Sequence, residues 1–92
     1  MAYVIVWERD QVDRIKDAMT DRAGYAPTVF RDTERGNWRI QSDLLTVHDI
    51  HDILTELGLD LEAEMYAREH VWDRHDPERL DRLARERGVP GF

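Results

Sequence analysis

The sequence predicts a small two-layer α+β domain in the element order β-α-β-β-α-α-α, a three-stranded sheet with a C-terminal helical subdomain. Three observations predict it. Tyr3-Val4-Ile5-Val6-Trp7 is an unbroken β-branched and aromatic run, the residue types that suit a pleated, half-buried surface. Trp38-Arg39-Ile40-Gln41 alternates apolar and polar after the turn residues Asp32-Thr33-Glu34-Arg35-Gly36-Asn37, as a strand leaving a hairpin does. From Ser42 onward the apolar period lengthens from two to about 3.6, the helical value. The 92 residues suffice for one domain, 1–92, with the sheet half in 1–42 and the helical half in 43–92.

Each element follows from local chemistry. The first strand is apolar on both alternate faces, which predicts a strand covered on two sides or central in the sheet, with Tyr3, Ile5 and Trp7 in its core. Asp10 is positioned to cap a helix carrying Val12, Ile15 and Met19 at helical spacing, stopped by Gly24. Residues 28–31 follow Pro27 as a second strand, and 38–41 form the third. Ser42 or Thr46 caps the next helix, whose stripe is Val47, Ile50, Ile53, Leu54 and Leu57, with Gly58 at its end. Thr46 and Asp49 have capping-box spacing. Asp60 starts a helix with Leu61, Met65 and Trp72 on one face. Asp76-Pro77-Glu78 is the sharpest start signal: a capping Asp, Pro at the first helical position, then an acid at the positive end of the dipole. The last helix turns Leu80, Leu83 and Ala84 inward and ends at Gly88-Val89-Pro90.

The net charge of −7 is not spread evenly. Residues 1–42 hold seven acids and seven bases; residues 43–76 hold ten acids against Arg68 and Arg74; residues 77–92 are net +1. One helical hairpin therefore carries the whole excess. A charge run of this kind usually only keeps a helix solvated. Its functional counterpart is an acidic docking face for a basic protein, on which Glu62, Glu69 and Asp73 lie along one helical edge. Twelve of the thirteen bases are Arg, which points to a GC-rich genome.

Composition narrows the function classes. The absence of Cys excludes a disulfide scaffold and a thiolate metal site. The longest apolar run, residues 2–7, is too short to cross a membrane, and the expectation is a soluble cytoplasmic protein. His48, His51, His70 and His75 all fall in the acidic segment, but His48 and Asp52 at i,i+4 supply only two ligands from one helix. Ser42 is the only serine and sits where its hydroxyl serves backbone amides, and the five glycines are dispersed. No catalytic residue, cofactor or metal is assigned, and the chain is read as a non-enzyme.

Nucleic acid is the second reading. Arg31, Arg35 and Arg39 surround Phe30 and Trp38 in the hairpin, a basic–aromatic mixture that can stack single-stranded bases. Residues 45–70 loosely resemble a helix-turn-helix, with Gly58 in the turn. However, Leu54 and Glu64 depart from the small and aliphatic residues of that family. A second helix bearing Glu62, Glu64 and Glu69 repels phosphate, so the segment is read as an αα-hairpin. Tyr66 points away from the Leu61/Met65 stripe, and Phe92 ends the chain; both are candidates for a partner contact or a homodimer. The leading expectation is a non-catalytic protein-interaction module, a phage or accessory protein that modulates a host protein through its acidic helical face. The alternative is a nucleic-acid-associated regulator using the Arg31/Arg35/Arg39 hairpin.

Overall fold

A computed structural model describes residues 1–88. Its elements are β1 (Ala2–Val6), α1 (Arg9–Ala23), β2 (Thr28–Asp32), β3 (Asn37–Ser42), α2 (Val47–Glu56), α3 (Asp60–His70), a 3-10 turn (Trp72–Arg74) and α4 (Pro77–Glu86). The α+β class and the element order are those the sequence predicts. β1 and β2 both pair antiparallel with β3, so the strand order is β1-β3-β2 and the last strand lies at the centre. β1 and β2 are therefore parallel to each other, joined by α1 as a crossover, with β3 inserted between them.

One face of this sheet is covered. Ala2, Val4 and Val6 of β1 and Ile40 of β3 pack against Val12, Ile15 and Met19 of α1 and Ile50, Ile53 and Leu54 of α2. The shortest dimension of the molecule is 19 Å, which holds one sheet and one layer of helices about 10–12 Å across. Among the described residues no helix covers the other face. Tyr3, Ile5 and Trp7 stand there exposed, Trp7 at 63%. This reverses the expected assignment of the β1 core. A strand apolar on both faces does not reveal which face is chosen; the slimmer Ala2/Val4/Val6 set faces the helices, and β1 is an edge strand, not a central one.

Local signals in the helices are mostly honoured. Thr46 and Asp49 form the capping box: Thr46 Oγ1 accepts from the Asp49 amide, and Asp49 accepts from the Thr46 amide at 2.9 Å. Asp76 accepts from the amides of Glu78 and Arg79 beside Pro77 at the start of α4. Ser42 Oγ accepts from the amides of Leu44 and Leu45. Gly58 turns the chain between α2 and α3 at φ 76°, a conformation that favours glycine. Two expected caps are displaced by a residue or two. α1 starts after Glu8, which leaves Asp10 inside the first turn, and α3 starts after Leu59, which leaves Asp60 in the same role. There both acids still face the positive end of a helix dipole.

α3 departs furthest from its expected single stripe. Leu61 packs with Leu80 and Ala84 of α4 in a separate small cluster, while Ala63, Tyr66 and Ala67 enter the main core. Tyr66 is only 5% exposed, and its hydroxyl donates to the Tyr3 carbonyl at 2.8 Å. It is thus a buried bridge between α3 and β1, not the exposed contact the sequence suggested. Trp72 is corrected in the opposite sense. α3 ends at His70, and the 3-10 turn swings Trp72 off the Leu61/Met65 face to 72% exposure, stacked on His75. Replacing Ile40 with Ala should cost about 2–5 kcal/mol in urea denaturation, whereas Trp72→Ala should stay within about 0.5 kcal/mol.

Candidate interaction site

A concavity of about 1000 Å³ borders the open sheet face and the edge of α3, and reaches round β1 to Val4, Val6 and Ile15. Its floor includes Tyr3, Ile5 and Arg39. Phe30 and the β2–β3 turn lie toward one side, and Glu62, Met65 and Glu69 toward the other. Strand alternation positions the floor, because Ile5 pairs with Arg39 and Phe30 pairs with Arg39, all on the uncovered face. The Arg39 guanidinium lies 4.6 Å from the Phe30 ring centre and 5.9 Å from that of Tyr3. Both are cation–π distances. Tyr66 and His70 close the far wall, with the His70 ring 4.6 Å from Tyr66 and 5.4 Å from Tyr3. Burial pushes the Tyr66 phenol above its ordinary pKa, so it remains a hydrogen-bond donor.

The candidate acidic edge is divided by the fold. Glu62 and Glu69 both line this concavity. Asp73 does not belong to it: it sits beyond the end of α3, where the His48 ring contacts it at 3.0 Å. That contact holds the Asp73 carboxyl below its usual range. Glu62 meets Arg87 at 2.5 Å, yet its second oxygen is buried and has no hydrogen-bond partner among the described residues. The carboxylate of Glu69 lies 3.7 Å from His70. Phe92 lies outside the described residues, as do Val89 and Pro90.

Much of the remaining acidic charge is engaged within the molecule. Arg22 of α1 reaches Asp49, Asp52 and Glu56 of α2 at 3.2–3.4 Å. Arg74 donates to Asp52 at 2.6 Å and to the His51 ring at 3.2 Å. The Thr46 amide, with Arg22 assisting, holds the Asp49 carboxyl below its usual range. Glu64 is the residue that sequence reasoning missed. It is fully buried, accepts from the Asp76 amide at 2.9 Å and from Arg79 at 3.3 Å, and so ties α4 to α3. On a helical wheel Glu64 falls between Leu61 and Ala67, both apolar, and that was the available signal. His75 Nδ1 is also buried, 4.0 Å from Glu64, with no hydrogen-bond partner among the described residues.

The histidines go to separate places: His48 to Asp73, His51 to Arg74, His70 to two tyrosines and His75 to Trp72 and Glu64. Among the described residues no three His, Asp or Glu side chains are placed to hold a metal ion. The hairpin arginines separate as well. Arg31 and Trp38 pair on the helix-covered side, with the guanidinium 4.1 Å from the indole centre, while Arg39 stacks on the open face. Arg35 stays in the turn, 3.8 Å from Asp32. The basic–aromatic group that looked continuous in sequence therefore lies on two faces and a turn.

Two predictions follow from these contacts. Glu64→Ala should cost about 1–3 kcal/mol, because it leaves the Asp76 amide without its acceptor while the half-exposed Arg79 keeps Asp60, and should speed amide exchange in α4. Burial, then Arg74, holds His51 below its ordinary pKa of 6.5. Its contribution to stability is therefore complete above that pH and is lost as pH falls below it. Urea midpoints taken from about pH 7 to about pH 5 should fall less for His51→Gln than for the natural chain. Compared with models of known protein families, with curated proteins and with solved structures, the chain finds no match.

Proposed function

We propose that this chain is a non-catalytic protein-interaction module whose partner lays an extended segment with apolar and basic side chains across the open sheet face, beside the acidic edge of α3. One observation carries the reading: Tyr3, Ile5, Trp7 and Phe30 are exposed together on a face that no second layer covers among the described residues. Small monomeric domains seldom leave a contiguous apolar patch bare unless something binds it. The guanidinium groups around the concavity are already engaged, Arg87 with Glu62, Arg35 with Asp32 and Arg39 with Phe30. Glu69 lines its far side, exposed enough to meet a cationic group on the partner, with the Glu62–Arg87 pair beside it. On this reading the acidic contact is the sheet-facing edge of α3.

The alternative, a nucleic-acid-associated regulator, is left with Arg39, Phe30 and Tyr3 on the open face, since Arg31 and Trp38 lie behind the sheet. Stacking of single-stranded bases there competes with the carboxylates alongside. Affinity capture on the immobilised chain separates the readings. A protein partner should be retained, and retention should fall about tenfold or more with Ile5→Asp, with Glu62 and Glu69 changed to Lys, or as salt rises. A partner held undiminished by both variants places the contact elsewhere. Oligonucleotide retention abolished by Arg39→Ala would establish the alternative.

A further inference from the structure

The sheet has two edges, and the fold treats them differently. At β1 the Tyr66 hydroxyl takes the Tyr3 carbonyl, and α2 packs alongside. At β2, Thr28 through Arg31 are all exposed, and among the described residues the strand packs substantially only on β3. Such an edge carries a row of unpaired backbone groups that another strand can use. Backbone groups alternate sides along an antiparallel strand. With the Tyr3 carbonyl turned outward to Tyr66, the Val4–Ile40 pair carries the β1–β3 hydrogen bonds. Phe30 and Thr28 then bond to β3, and Val29 and Arg31 turn their N–H and C=O groups to the free edge.

We infer that this edge pairs with β2 of a second copy of the chain, antiparallel about a two-fold axis at Phe30. Charge argues for a second copy at this place. Residues 43–76 carry net −8 and residues 1–42 are neutral, so two copies repel least through the sheet half. β2 is moreover the edge away from the one α2 and α3 flank, and Arg31 and Asp32 cancel within it. The register argues for it too. A two-fold axis perpendicular to the sheet sets each residue against one on the same face, so the axis must pass through a residue position. At Phe30 it sets Phe30 against Phe30 of the second copy in a non-hydrogen-bonded pair, where side chains approach closest. Val29 then meets Arg31, and Thr28 meets Asp32, with no like charges opposed. An axis at Arg31 opposes two arginines instead. The product is a six-stranded sheet whose two open faces merge, with Ile5, Glu62 and Glu69 still free. The inference is therefore independent of the proposed partner.

Sedimentation equilibrium on the purified chain tests this without any partner. The mass should rise with concentration from 10.9 kDa to twice that value. Phe30→Glu and Phe30→Lys, at a position exposed in the monomer, should each raise the dimer dissociation constant about tenfold or more with unchanged circular dichroism. Mixed in equal amounts, the two variants should dimerise again, because the axis then opposes a negative and a positive charge. A natural chain that stays monomeric throughout, a dimer indifferent to both variants, or a mixture no stronger than either variant alone would each overturn the inference.

Discussion

α3 must bury two sides at once, and most of the architecture follows from how it does so. Ala63, Tyr66 and Ala67 close the main core against the sheet half, while Leu61 meets Leu80 and Ala84 of α4. Between these two apolar arcs lies Glu64, a buried carboxylate. A buried charge is tolerated only when it is paired and hydrogen-bonded. The Asp76 amide and Arg79 satisfy it, and in doing so they set where α4 begins. The α4 cap, the 3-10 turn and the exposure of Trp72 all depend on that arrangement.

Among the described residues, three strands and four α-helices cover one face of the sheet and leave the other open. That allocation concentrates the unfilled binding capacity. Tyr3 and Ile5 of β1 and Phe30 of β2 stand outward, and Arg39 lies among them with its charge directed at rings. The edge of α3 supplies carboxylates close by. A surface that is apolar in the middle and charged around its margin has the anatomy of a protein-binding face. The bare β2 edge adjoins it, so pairing two copies there would extend this face without covering it.

Charge plays a different part from the one its total suggests. The excess of acid in residues 43–76 is largely an internal device: Arg22 draws α1 onto α2, Arg74 draws the 3-10 turn onto α2, and Arg79 draws α4 onto α3. Surface pairs of this kind contribute little individually. As a network they fix the relative positions of the helices. What faces the concavity is a short stretch, Glu62 paired with Arg87 and Glu69 beside His70, while Asp73 is engaged by His48 on another side.

The legible features were those determined within a few residues. The Thr46/Asp49 capping box, the Asp76-Pro77 start, the hairpin turn and the element order were all readable because each depends on neighbouring backbone geometry. So was the segregation of charge, since it is a property of position along the chain. The burial of Tyr66 and Glu64, the division of Arg31 from Arg39, and the exposure of Ile5 were not readable. A helix that packs on two sides has no single stripe to read, and a strand apolar on both faces fits either orientation. Local chemistry along the chain specifies which elements form and where they start. Which face of each is buried is settled by the packing between elements, because burial depends on what the others leave uncovered.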